Sequence, residues 1–234
     1  MISISNALRT NAPRRERKGV VTPAADGWLE RAVREHPALF VTAHPERMVT
    51  TVYFDTADGR LAASNLIGAV ERMKIRARWY GPLVGIVSSA ALEFKKKVGE
   101  VGFKTTVPLE PFEVPATRDL TALARQVQGF EGYPAALVEF RELRPAVITS
   151  YRRQYFRSRD GRFRLTIDRD IQSYGLASPA MGSRLTPIRH PEIVVELKYD
   201  AALEDDADRV WAPLGLRVQR NSKYLNGIPG ARDL

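Results

Sequence analysis

The sequence predicts a mainly antiparallel α+β fold, in which many short strands close into a barrel and a few helices lie outside it. Three observations carry this expectation. Two-residue alternation recurs along most of the 234-residue chain, helical periodicity is confined to three stretches, and the alternating segments carry charge on one face. In a strand, positions i, i+2 and i+4 project to the same side. In the run Glu71–Tyr80 this puts Lys74, Arg76 and Arg78 on one face and Ile75, Ala77 and Trp79 on the other. A sandwich needs two apolar inner faces. A wide barrel can instead turn its apolar faces outward onto helices and line a wet channel with charge.

A strand is expected at about 14–21, with Arg14, Glu16 and Lys18 on one face. Thr22-Pro23 then has the form of a helix start, Thr as N-cap and Pro in the first turn. The stripe Ala25, Trp28, Leu29, Ala32, Val33 and His36 continues that helix, and Pro37 ends it. Strands follow at 47–55, 70–80, 90–97 and 101–107. In the third of these, Glu93, Lys95 and Lys97 share a face. Leu120, Leu123, Ala124 and Val127 mark a helix over about 117–128, stopped by Gly129. Further strands are expected at 136–142, 146–158, 162–171 and 192–200. They align Tyr151, Arg153 and Tyr155, then Arg162, Arg164, Thr166 and Asp168, then Glu196 and Lys198. A third helix covers 203–212. Residues 175–191, rich in Gly, Pro and Ser, read as a long loop of lid type. Residues 1–12 read as a disordered leader and 13–234 as one tunnel-like domain.

Composition narrows the partners. The net charge is +9, which favours a polyanionic ligand. The absence of cysteine excludes disulfides, thiolate metal sites and cysteine nucleophiles. No apolar run reaches the roughly 18 residues that span a bilayer, and Met1–Lys18 lacks the apolar core of a signal peptide. The expectation is a soluble, cytoplasmic protein with no membrane segment. No nucleic-acid-binding motif is present, and no nucleic-acid partner is expected. Two like charges about 6 Å apart repel by roughly 3 kcal/mol at an effective dielectric of 20. A channel lined by so many cations therefore calls for a bound polyanion, and Arg and Lys are well suited to phosphate oxygens.

Seven ordered motifs sharpen this reading: Val52-Tyr-Phe-Asp-Thr56, Lys74-Ile-Arg-Ala-Arg-Trp-Tyr-Gly81, Glu93-Phe-Lys95, Tyr151-Arg-Arg153, Arg164-Leu-Thr-Ile-Asp168, Val195-Glu-Leu-Lys-Tyr199 and Ser222-Lys-Tyr224. Over about residues 14–228 the chain resembles the vacuolar transporter chaperone (VTC) domain, the polyphosphate polymerase branch of the triphosphate tunnel metalloenzymes. The resemblance implies an eight-stranded antiparallel tunnel, Mn2+ or Mg2+ as cofactor, and transfer of the ATP γ-phosphate onto inorganic polyphosphate. It places catalytic phosphate-binding roles on Arg76, Arg78, Lys95, Arg153 and Arg164. Substrate contacts fall on Lys18, Lys104, Tyr151, Arg220, Ser222 and Lys223, with Lys198 beside them, and the metal ligand on Glu196. Arg220 stands where the family often has lysine. The wider superfamily begins Glu-x-Glu-x-Lys; here the segment is Arg14-Arg-Glu16-Arg-Lys18, without the first glutamate. That departure suits the polymerase branch better than a two-metal triphosphatase.

Other residues read more plainly. Glu16 and Glu93 serve either as ligands or as groups that orient a neighbouring cation. Asp55 ends a strand and reads as a turn or cap residue. Trp79 and Tyr80 read as packing residues, with Tyr80 also placed to stack on an adenine. Lys96 and Arg152 point outward, and His36, His44 and His190 carry no assigned role. A metal-dependent hydrolase of inorganic or nucleoside triphosphates, and a non-catalytic polyphosphate sensor, are the alternatives on the same scaffold.

Overall fold

The computed structural model describes residues 14–99, 101–130, 140–176 and 184–228. In chain order the elements are β1 (Arg14–Val21), α1 (Asp26–Arg34), β2 (Val41–Asp55), α2 (Arg60–Leu66), β3 (Glu71–Tyr80), β4 (Gly85–Val87), β5 (Ala90–Val98), β6 (Val101–Leu109), β7 (Phe112–Val114), α3 (Thr121–Gln128), β8 (Arg144–Arg157), β9 (Arg164–Gly175), β10 (Ile188–His190), β11 (Ile193–Asp200), α4 (Glu204–Trp211) and α5 (Lys223–Asn226). One large sheet follows the path β1-β11-β9-β8-β2-β3-β5-β6, with β10 added beside β9; β4 and β7 form a separate pair. Every ladder between these named strands is antiparallel.

The alternation read in the sequence is the alternation of burial. Met73, Ile75, Ala77 and Trp79 of β3 are buried, and Arg72, Lys74, Arg76 and Arg78 between them are only partly covered. The buried set joins Leu92 and Phe94 of β5, Phe112, and Leu123 and Val127 of α3 in one core. A second core gathers Leu165 and Ile167 of β9, Val195 and Leu197 of β11, Leu29 and Val33 of α1, and Ala207 and Trp211 of α4. Both cores lie on the outer side of the sheet. The helices therefore dock outside, and the charged residues are left to face one another across the concave side.

The mainly antiparallel α+β fold forms as expected, and closure into a barrel is not carried by a backbone ladder. The path has the expected eight strands, but among the described residues no backbone ladder joins its two edges, β1 and β6. The sheet is nonetheless curled enough for side chains to span the gap: Lys95 Nζ of β5 lies 3.5 Å from Glu16 Oε1 of β1. Strands from the two ends of the path thus meet through side chains across the concave face.

Several expected elements shift. β2 begins at Val41, six residues earlier than expected, because its first half is exposed and contains Pro45 and two register irregularities against β8. Phe140–Glu142 is a short 3-10 turn and not the end of a strand; the rest of that expected strand, and the leader 1–12, lie outside the described residues. The expected lid over 175–191 is partly structured, since Ile188–His190 pairs with Ile171–Ser173. β9 can carry this extra strand because it leaves β11 after Asp168 and bends at Asp170, a non-glycine residue at φ 52.

Candidate functional site

The concave face is built from alternate residues of successive strands, set by register. Lys18 lies opposite Glu196, and Glu16 opposite Lys198. Glu196 lies opposite Thr166, and Lys198 opposite Arg164. Asp168 faces Arg153, Tyr53 faces Arg76, Thr51 faces Arg78, Arg76 faces Glu93, and Lys74, Lys95 and Lys104 form a row across three strands. Four carboxylates hold this cationic surface together, each shared by two or three cations.

Glu93 is the first. Its Oε2 accepts from Arg76 Nε at 2.7 Å and lies 3.7 Å from Arg78 Nη1, while Oε1 accepts from Lys104 Nζ at 2.8 Å. Burial pushes this carboxyl up, but the field of Arg76 and Arg78 and the Lys104 bond outweigh it and hold the group at about 2. Asp168 is the second. It is fully buried, takes a bidentate pair from Arg153 at 2.5 and 2.7 Å, and accepts from Lys223 Nζ at 2.6 Å. Here too burial is overcome by the two cations, and the carboxyl is held below its usual range.

Glu196 is the third, with Lys198 Nζ at 3.1 Å, Lys18 Nζ at 3.6 Å and Arg153 Nη2 at 3.7 Å. Against the cost of burial, these three hold it well below an ordinary glutamate. Glu16 is the fourth, 3.0 Å from Lys18 Nζ and 3.5 Å from Lys95 Nζ. Glu16 and Glu93, open in the sequence as ligands or orienters, both form ion pairs with neighbouring cations.

Two groups are tuned toward neutral pH. Burial, reinforced by Lys18 and Lys95, pushes the Lys74 ammonium down to about 8. Burial would raise the Tyr53 phenol, yet Arg76, Arg78 and Lys74 bring it down to about 8. Tyr53 was not singled out in the sequence, although the same alternation that marks Arg76 puts Thr51 and Tyr53 on the polar face of β2. Three hydroxyls on this face, Thr149 Oγ1, Tyr155 Oη and Thr166 Oγ1, are buried without a protein hydrogen-bond partner. Such groups ordinarily find water or ligand.

The last short helix closes one end of the face. Ser222 caps α5, its Oγ accepting from the Leu225 N–H, and also receives Lys74 Nζ at 2.9 Å. Lys74 is thus tied to α5. Lys223 rests over the Tyr151 ring at 4.7 Å, and Arg153 at 5.2 Å. Tyr224 points the other way, stacking on Tyr53 at 4.9 Å and donating to Asp55 Oδ2 at 2.6 Å. Asp55 also accepts from the N–H groups of Leu61 and Ala62 in α2. It is a cap, as read, and it couples α2 to α5. Gly227 allows the close fit of α5: a Cβ there would lie 2.8 Å from Val147 Cγ2 and 3.0 Å from Ser173 Cβ.

The remaining candidates lie further out. Arg164 is exposed at the first residue of β9, opposite Lys198 in the ladder. Arg220 is exposed beside Gly68. Lys104 is half exposed on the edge strand. Arg152 pairs outward with Asp170 and Glu46, and Lys96 with Glu71, as expected. His36 is structural, its Nε2–H donating to the Val210 carbonyl and its Nδ1 accepting from Ala38 N–H.

For a divalent ion the donor set is small. Among the described residues no group of three or more His, Cys, Asp or Glu side chains could hold a metal. Mg2+ and Mn2+ favour oxygen, and Mg2+ is commonly held by one or two carboxylates with phosphate oxygens and water completing the shell. Glu196, with Glu16 on the adjacent strand and Lys18 bridging the two, fits that minimal pattern. Among the described residues no helix is long and apolar enough to cross a membrane.

Comparison with known proteins agrees with this architecture. A candidate adenylate cyclase from Bacillus halodurans matches with a TM-score of 0.55 at 14% identity, over 90% of this chain and 95% of that one. A candidate adenylyl cyclase from Hippeastrum, described as having a dominant triphosphatase activity, matches with a TM-score of 0.50 at 14% identity, over 94% and 95%. A candidate adenylate cyclase from Vibrio parahaemolyticus gives 0.50 at 12% identity, over 91% and 96%. At these identities the likeness is one of fold. No curated protein sequence matches the chain. The profile of the VTC domain matches residues 13–230, nearly the whole sequence, and the chain belongs to the VTC domain family.

Proposed function

We propose that this protein is a polyphosphate polymerase, which transfers the γ-phosphate of ATP to the end of an inorganic polyphosphate chain lying along the concave face. The observation that carries the reading is the sharing of each buried carboxylate among two or three cations, which leaves the face with an excess of positive charge and three unpartnered hydroxyls. A polyanion is the ligand that such a surface stabilises most.

Phosphoryl transfer is governed by positioning and by neutralising the charge on the transferred group. In this reading Arg76 and Arg78 clamp non-bridging oxygens, and Glu93 holds both guanidiniums in place beforehand. Arg153, fixed by Asp168, and Lys18, Lys95, Lys104, Lys198 and Lys223 continue the cradle. Tyr151 forms its floor, Ser222 sets the α5 end, and Arg220 and Arg164 lie toward its ends. The nucleophile, a terminal phosphate oxygen of the acceptor, is already ionised, so no strong general base is required. Glu196 is assigned as ligand of a Mn2+ or Mg2+ ion, which when bound would neutralise phosphate charge.

The triphosphatase activity described for the Hippeastrum protein favours a second reading, hydrolysis of a triphosphate by water on the same scaffold. Incubating the purified protein with ATP and Mn2+ and resolving the products separates the two. Long polymer with ADP supports the polymerase. Orthophosphate or pyrophosphate without polymer overturns it in favour of the hydrolase, and binding without turnover leaves a polyphosphate sensor.

A further inference from the structure

One cluster on the concave face takes no part in the carboxylate network. Tyr80 is the last residue of β3 and continues the Lys74-Arg76-Arg78 row. Its ring is 57% exposed. The Arg47 guanidinium of β2 lies 5.1 Å from the Tyr80 ring centroid and 5.8 Å from that of Tyr155 on β8. His44 meets the Tyr155 ring edge-on at 5.7 Å. The Tyr155 hydroxyl is buried, and burial and the neighbouring Tyr80 phenol both push it up.

The position of the cluster is informative. Tyr80 follows Arg78 by two residues and Tyr155 follows Arg153 by two. On a strand rising about 3.3 Å per residue, each ring therefore sits roughly 7 Å beyond a guanidinium of the phosphate cradle. In the ladders Tyr80 stands level with Tyr151, one step beyond Arg78, so the offset suits a nucleoside whose phosphates run back from Arg78 along the Lys74-Arg76-Arg78 row. The rim is also held in place: Thr50 Oγ1 donates to the Gly81 carbonyl at 3.0 Å, Gly81 N–H donates to the Met48 carbonyl at 3.0 Å, and Trp79 Nε1 donates to the Pro82 carbonyl at 2.9 Å. A half-exposed aromatic ring on a fixed turn, with an arginine beneath it, is built to receive a flat ring on its open face.

We propose that Tyr80, backed by Arg47 and Tyr155, is the platform on which the purine ring of a nucleoside triphosphate stacks at the mouth of the tunnel. The proposal rests on the phosphate-cradle reading and adds what that reading leaves open, namely how a nucleotide donor is told from a bare phosphate chain. No residue of the platform bonds a phosphate in this scheme, so its effect belongs to the base alone.

The test compares two ligands. Dissociation constants for ATP and for inorganic tripolyphosphate are measured by calorimetry on the wild-type protein, on Tyr80→Ala and on Tyr80→Trp. Tyr80→Ala is expected to weaken ATP by about tenfold and to leave tripolyphosphate unchanged, and Tyr80→Trp to retain wild-type ATP affinity. Unchanged ATP affinity in Tyr80→Ala, or an equal loss for both ligands, overturns the platform and leaves the cradle standing. Failure of the wild-type protein to bind tripolyphosphate overturns the cradle and the platform with it.

Discussion

Replacing Glu93 by Gln tests whether the arginine cradle is preorganised by a carboxylate. Glu93 is buried and bonded to Arg76 and Lys104, with Arg78 near, and its carboxyl is brought from an ordinary 4.5 to about 2. A shift of that size corresponds to roughly 3 kcal/mol of folding stability at neutral pH. For a domain of this length the loss should lower the melting temperature by about 6–12 °C. Because the folded-state value is depressed, the contribution is fully present above about pH 4.5 and fades as pH falls toward 2. The stability gap between wild type and Glu93→Gln, followed by urea titration, should therefore be largest near pH 7 and narrow progressively below 4.5. The same change removes the group that fixes Arg76 and Arg78, so tripolyphosphate should bind the variant less tightly. A gap that stays constant from pH 7 to 3, or a fully stable variant with unchanged phosphate affinity, would refute the reasoning.

Other outcomes follow from neighbouring contacts. Asp168→Asn leaves Arg153 and Lys223 buried without their counter-charge and should cost about 3–5 kcal/mol in chemical denaturation. Tyr224→Phe removes a buried bond to the Asp55 carboxylate, costing about 1.5–3 kcal/mol; by loosening α5 it should also raise the KM for ATP, measured in steady-state turnover. Glu196→Gln should abolish metal-dependent turnover while largely sparing tripolyphosphate binding, and full retained activity would refute the metal assignment. Tripolyphosphate affinity should fall as pH rises through about 8, because Lys74 loses its proton and Tyr53 ionises there; Tyr53→Phe should flatten part of that decline in a binding titration.

The strands of the site were legible because one physical pattern governs them. β3, β5, β9 and β11 each set an apolar residue on the outer cores at every second position, and that fixed which face Arg76, Lys95, Asp168 and Glu196 occupy. What was not legible depends on contacts distant in sequence. α2 is seven residues long and begins after Gly59 in a left-handed conformation, too short to show a helical stripe; its N-terminus is satisfied by Asp55 and steadied by Tyr224, 169 residues away from that aspartate. β4, β7 and β10 are three residues each, too short to show a period. Closure of the sheet is not legible from alternation, which says which face a residue takes and nothing about whether the first and last strands share a ladder.

The central claim is that a phosphate chain grows on the concave face, and phosphorus NMR of the wild-type protein turning over ATP with Mn2+ tests it most directly. The account predicts accumulating mid-chain phosphate signal matched by ADP, with both abolished in Glu196→Gln. Conversion of the γ-phosphate to orthophosphate alone, with no mid-chain signal at any time, would contradict it.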